Sequence, residues 1–149
     1  SNQINIMDTS GHIIQTGTAE ELYNNPNNSY VTEFFGETNK FKGIVNNSIV
    51  NTPVGKIRVS DSLENKNVEI HIRPKGIKLI EQPTPVNGIK GTVMASKLIG
   101  SFSFIHLSVL DDNNEIVHVH SHMPPGFNPK QSSAVEIEID QNETYIFQT

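Results

Sequence analysis

At Gly36 this chain of 149 residues changes its hydrophobic period from helical to strand-like, and that change limits the folds open to it. Before Gly36, Tyr30, Val31, Phe34 and Phe35 recur at helical spacing. After it, apolar residues recur at every second position, the spacing of strands with one face on a core. Such a chain folds as a short helical piece followed by a β-rich body.

The helical piece carries its own punctuation. Thr18 followed by Glu21 is a capping box, in which each side chain satisfies the other's backbone amide. Asn24, Asn25 and Pro26 end that helix, because proline cannot continue it. A second helix starts at Asn28 or Ser29, presents Tyr30, Val31, Phe34 and Phe35 as one apolar face, and closes at Gly36. Upstream, residues 3–16 read as a hairpin. Ile4 and Ile6 alternate with polar residues, 8–11 is turn chemistry, and Ile13 and Ile14 return. A lone hairpin is marginal in water, so this one is either a local ornament or the tail of a larger sheet.

From Lys40 onward short strands and turns follow one another. Phe41, Gly43 and Val45 share a face, as do Ile57 and Val59. Val68, Ile70 and Ile72 alternate with Glu69, His71 and Arg73, which predicts a half-buried strand ended by Pro74. Residues 81–87, with Pro83 and Pro85, read as a linker between two halves. In the second half Gly100 offers a bend. Phe102, Phe104, His106, Ser108 and Leu110 share one face of a strand, and Ser103, Ile105, Leu107 and Val109 the other. Residues 111–114 turn the chain; His118, His120 and His122 then alternate with Val117, Val119 and Ser121. Val135, Ile137 and Ile139 alternate with Glu136, Glu138 and Asp140, and 145–147 is a last strand; both segments are expected to leave sheet edges, one of them protected in a monomer by the three acidic residues. Roughly nine or ten strands at about ten-residue spacing mark a small barrel or sandwich.

Composition excludes several classes. The net charge of −5 disfavours a nucleic-acid binder, which needs a basic surface to meet phosphates. With no cysteine there is neither a disulfide framework nor thiolate chemistry. No apolar run reaches the length of a membrane helix. The start is polar and lacks the basic segment and apolar core of a signal peptide.

The stretch 17–43 also carries a family resemblance. Gly-Thr-Ala-Glu-Glu-Leu-Tyr, a proline, Tyr30-Val31 followed by Phe34-Phe35, Gly36, and then Asn39-Lys40-Phe41-Lys42-Gly43 follow a Met7-Asp8 turn. This resembles the end of an ATP-binding subunit of an ABC importer, with Ala19 where that family usually has proline. Ile72-Arg73-Pro74-Lys75-Gly76-Ile77 resembles the family's Arg-Pro signature, with Lys75 in the usual glutamate position. Residues 91–100 and 135–147 follow the family's C-terminal pattern. The resemblance implies two parts: 1–38 as the tail of the nucleotide-binding domain (hairpin plus two helices), and 39–149 as a TOBE domain, an OB-like β-barrel regulatory module. The fold class expected is mostly β. The Thr52-Pro53-Val54-Gly55 turn, the Arg-Pro-Lys-Gly-Ile form and Pro124-Pro125-Gly126 look most like iron(III) importers; polyamine, sulfate and sugar importers share the architecture.

The resemblance further implies that the chain begins just after the family's switch histidine, with the nucleotide chemistry upstream. ATP and Mg are the cofactors of the full-length parent, and none is expected here. The sequence has no Gly-x-x-x-x-Gly-Lys-Ser/Thr phosphate loop, no Leu-Ser-Gly-Gly-Gln signature and no apolar strand ending in Asp-Glu. No nucleophile–base pair or carboxylate constellation stands out either, so no catalytic residue is assigned. The partners implied are a second ATPase subunit, giving a homodimer, and membrane permease subunits. They place the parent in the cytoplasm, peripheral on the inner face of the cell membrane.

Two residue sets remain as site candidates. Arg73 and Pro74 form the family motif, read as structural: an Arg in a surface ion pair or a strand-end hydrogen bond. His118, His120 and His122 point to one face of a strand, and imidazoles suit transition metals. Neighbours two apart on a strand are spaced awkwardly for one ion, and an exposed polar face is the plainer reading. Two functions are compatible with this sequence: a non-catalytic regulatory and dimerisation module, or a sensor of a small oxyanion or metal in a barrel cleft.

Overall fold

The computed structural model describes residues 2–81 and 88–149. The chain separates into two compact units, residues 1–38 and Asn39–Thr149.

In the first unit β1 (Ile4–Met7) and β2 (Ile13–Gly17) pair antiparallel. The Asp8 carboxylate accepts hydrogen bonds from the backbone N–H of Ser10 and of His12, both at 2.9 Å, and so shapes the turn. Helix α1 (Ala19–Asn24) opens on the Thr18–Glu21 capping box. The Thr18 backbone amide, with its hydroxyl, holds the Glu21 carboxyl below the usual carboxylate range. Helix α2 (Ser29–Phe34) opens on Asn28, whose side chain accepts from Val31 N–H at 3.1 Å. Gln15 joins the two layers. Its amide donates to Asn25 O at 2.9 Å, and its carbonyl accepts from Asn27 N–H at 2.8 Å. Ile6, Leu22 and Val31 form a small core, with Ile4, Ile14 and Phe35 packed on it.

The single apolar face expected of α2 is divided. Val31 and Phe35 turn inward, while Phe34 is 58% exposed and Tyr30 is also on the surface. Residues i and i+4 stack on a helix, so 31/35 and 30/34 are neighbouring stripes, and this small core has room for one.

The second unit contains β3 (Asn39–Ile44), β4 (Ile49–Thr52), β5 (Gly55–Arg58), β6 (Asn67–Ile72), β7 (Ile77–Glu81), β8 (Ile89–Ile99), β9 (Phe102–Leu110), β10 (Ile116–Met123), β11 (Ala134–Ile139) and β12 (Thr144–Gln148). Among its described residues the only helical pieces are 3-10 turns at Asp61–Leu63, Pro74–Gly76 and Gln141–Glu143. Glu81 belongs to β7; the rest of the expected linker, 82–87, lies outside the described residues. The sheets are ordered β10-β9-β8-β11-β7, β12-β6-β3 and β4-β5, with every pairing antiparallel. The chain is thus mostly β, in an OB-like arrangement.

The five-stranded sheet curls until its edge strands β7 and β10 approach each other. The buried Ser121 hydroxyl closes this seam by donating to Ile77 O at 2.5 Å. Asn39 then joins β10 to the three-stranded sheet. Its amide nitrogen donates to His120 O at 2.9 Å and to Ile72 O at 3.2 Å, and its carbonyl accepts from His120 N–H at 2.8 Å. One side chain thereby reproduces the donor and acceptor that a neighbouring strand presents. Inside lie Val45, Ile57, Ile70, Ile72, Ile77, Ile105, Leu107, Val119 and Val135, all fully buried. Gly43 fits because β4 crosses close to it. A Cβ there would stand 2.6 Å from Val50 Cγ1, and a β-branched neighbour has little freedom to give way.

Two expectations from periodicity need correction. β6 is buried on both faces near its end, not half-buried. His71 is fully buried and Arg73 is 4% exposed, because β6 runs between β3 and β12 and the rings of Tyr145 and Phe147 lie over them. The Val135–Asp140 segment is not a sheet edge needing acidic protection. β11 is paired on both sides, with β7 and β8, and Glu136 and Glu138 sit opposite Lys90 and Lys78.

Candidate functional site

The Arg73–Pro74 step begins at the end of β6. Pro74 cannot donate to a ladder, so the strand stops and a 3-10 turn follows. Arg73 N–H donates to Glu143 O at 3.0 Å, and Asp140 N–H donates to Gly76 O at 2.9 Å. These two bonds lock the β6–β7 connection onto the β11–β12 connection. Lys75 Nζ and Glu143 Oε1 add an ion pair at 3.3 Å. The Arg73 guanidinium carbon lies 4.9 Å from the Tyr145 ring centroid, the distance of a cation–π contact. Burial of Arg73 excludes the surface ion pair and is compatible with the other expectation, a strand-end hydrogen bond. Next to it Glu69 Oε1 and His71 Nε2 meet at 2.5 Å. That bond to His71 lowers the Glu69 carboxyl, with Lys42 and Lys40 of the facing strand assisting.

The histidines of β10 lie on the outer face of the five-stranded sheet, but they do not converge on one point. His122 stacks on Phe102 with centroids 4.1 Å apart and tilts on Phe104 at 5.4 Å. His118 and His120 instead flank a residue of the adjacent strand, His106. The ring centroids are 5.0 Å from His106 to His118 and 4.8 Å from His106 to His120. His106 Nε2 and His118 Nδ1 form a hydrogen bond of 3.0 Å. Alternation alone puts His106 on one face of its strand with Phe102, Phe104, Ser108 and Leu110 and does not link it to His118. The signal was available: folding β9 and β10 about the 111–114 turn sets His106 opposite His120. Among the described residues no group of three His, Cys, Asp or Glu side chains is placed to hold a metal ion.

Two neighbouring clefts adjoin β8 and β11. One of about 590 Å³ is lined by Pro53, Ile89, Val109, Leu110 and Ala134, with Thr92 and Ser108. The other, of about 440 Å³, is lined by Lys56, Arg58, Glu136 and Glu138 around Ile89 and Ile137. The second offers both signs of charge and no nucleophile. Among the described residues no helix is long and apolar enough to cross a membrane.

No protein-family model matches the sequence. Individual proteins do. The chain is 34% identical over 116 residues to the spermidine/putrescine import ATP-binding protein PotA of Clostridioides difficile (strain 630), covering 74% of this chain and 31% of that protein. It is 32% identical over 145 residues to the protein of the same name from Acetivibrio thermocellus, covering 92% and 37%. It is 29% identical over 154 residues to the Fe(3+) ions import ATP-binding protein FbpC of Fusobacterium nucleatum subsp. nucleatum, covering 99% and 40%. The chain thus belongs to the family of ATP-binding subunits of ABC importers, with a likeness that runs over most of its length. The chain spans between 31% and 40% of the length of these three relatives.

Proposed function

We propose that residues 39–149 are the non-catalytic regulatory and dimerisation domain (TOBE-type) of the ATP-binding subunit of an ABC importer, and that residues 1–38 are the tail of its nucleotide-binding domain. The observation that carries this is the likeness to import ATP-binding proteins across both units, in a sequence without a phosphate loop. The joint motifs serve as structure: Asn39, Phe41 and Gly43 seat one sheet on another, and Arg73-Pro74 ties two connections together. Nothing in these roles asks for chemistry at the site. ATP and Mg act in the parent, which is peripheral on the inner face of the membrane and bound to permease subunits. This chain alone is not an ATPase. Calorimetry with Mg-ATP should show no saturable binding at micromolar nucleotide, and micromolar binding would overturn the reading.

The substrate assignment rests on the turn motifs, which favour iron(III). A second reading has a specific observation behind it: two of the relatives described above are named for spermidine and putrescine. Uptake of labelled iron(III) and labelled putrescine by cells carrying or lacking the parent subunit separates the two.

A further inference from the structure

The β9–β10 hairpin ends in a fixed tip. The Asp111 carboxylate accepts from Asn113 N–H at 2.8 Å and from Glu115 N–H at 2.9 Å, and Asp111 N–H donates to Glu115 O at 3.0 Å. Asn114 takes the left-handed conformation of the turn, with a φ of 60°. Leu110 and Ile116 stand opposite each other just behind this turn, both largely exposed. Side chains held on a fixed tip lose little freedom when a partner covers them. Beside the tip lies the cleft of about 590 Å³, and Leu110 forms part of its wall. Its size is that of pockets which enclose small ligands, ample for two aliphatic side chains. Pro53, Ile89, Val109 and Ala134 make it largely apolar, and Lys90 is the one charged residue among the described residues that line it. The tip carries the opposite charge. Asp112 and Glu115 are exposed there, while the Asp111 carboxylate is taken up by the turn.

We propose that two copies of the chain meet at this surface: Leu110 and Ile116 of each copy enter the cleft of the other, and Asp112 and Glu115 face the other copy's Lys90. The inference rests on the dimerisation reading and gives it a contact. A two-fold pair needs a patch complementary to itself. Here an apolar knob lies beside an apolar hole on one unit, so a single rotation makes both insertions and closes the pair. Charge selects the same arrangement. Each chain carries −5, so two copies repel unless their contact brings opposite charges together. Within one copy Lys90 stands across the β8–β11 ladder from Glu136. In the pair it gains two further carboxylates at the rim of a dry contact, where opposite charges fix register and speed encounter.

The test is sedimentation equilibrium of the whole chain from low to high micromolar concentration, with charge-reversal variants. The parent chain should reach twice the chain mass and go no further. Lys90→Glu, and separately Asp112→Lys with Glu115→Lys, should each weaken the dimer by about tenfold or more, because like charges then meet across the contact. All three reversals together should restore it to within about threefold, a recovery that only coupled residues give. Asp112 and Glu115 are exposed on the turn, so their reversal tests the contact even if Lys90→Glu disturbs Glu136 on the facing strand. Leu98 is 65% exposed toward the other end of β8, and Leu98→Lys should stay within about twofold of the parent chain, as an ordinary surface change does. A chain that stays monomeric removes the dimerisation reading and this contact with it. A dimer of parental strength in both reversals, or one that the combined reversals do not restore, overturns the contact alone and leaves the reading. Mass beyond twice the chain mass also overturns it, since a closed pair has no free knob. So does a loss in Leu98→Lys equal to that of the reversals.

Discussion

Asn39 performs at one position what a strand does over several. Its buried amide offers a donor and an acceptor to the half-buried backbone of His120 and a second donor hydrogen to the buried Ile72 O. Replacing it with alanine leaves His120 N–H and C=O at the seam between the sheets without these bonds. An unsatisfied buried polar group costs about 1–3 kcal/mol. Asn39→Ala should therefore lower stability by about 2–4 kcal/mol, read as a shift in the urea midpoint. Asn39→Asp should also destabilise, because a carboxylate cannot donate to Ile72 O or His120 O. A loss under about 0.5 kcal/mol, the range of an ordinary surface substitution, would show that the clamp does not hold the sheets. The Asn-x-Phe-x-Gly pattern was legible in the sequence, but its physics was not. The partner of Asn39 is 81 residues away, and no local spacing encodes that contact.

At the scale of elements, alternation located the strands and their inner faces well. Ser103, Ile105, Leu107 and Val109 all lie inward on β9, and Val135 and Ile137 on β11. It missed what pairing order decides. A central strand can be covered on its second face as well, which is how His71 and Arg73 came to be buried. β6 also makes a prediction about acid. The Glu69 carboxyl is held low first by His71, so its folded pKa lies below its unfolded one. The contact therefore adds stability above the ordinary glutamate pKa of about 4.3. That part is lost as the pH falls through the folded value. Glu69→Gln keeps an oxygen acceptor near His71 and removes the titration. Its urea midpoint should fall less than that of the parent chain between pH 6 and pH 3. Equal falls would mean that this pair does not contribute to acid sensitivity.

For the whole molecule the open matter is self-association, and the corrected sheet order changes where to look for it. Glu136 and Glu138 guard no edge, since β11 is interior. The edges β7 and β10 meet at Ser121, and the three-stranded sheet ends in β12 and in β3, of which β3 is tied to β10 through Asn39. An edge strand is a template for pairing unless it is covered or charged. The second unit also exposes apolar side chains in pairs. Leu110 and Ile116 sit opposite each other at the end of the β9–β10 hairpin, 60% and 64% exposed. The first unit has a rival surface in Ile13 and Phe34, each 58% exposed. The regulatory reading requires a homodimer made by the barrel unit, so sedimentation equilibrium should give twice the chain mass at high micromolar concentration. Leu110→Lys combined with Ile116→Lys should then shift the chain toward monomer, because a buried lysine without a partner opposes association. Ile13→Lys should leave the dimer intact. A chain that is monomeric throughout removes the dimerisation role. A dimer broken by Ile13→Lys alone assigns the contact to the hairpin and helices, and the barrel must then find its regulatory partner elsewhere.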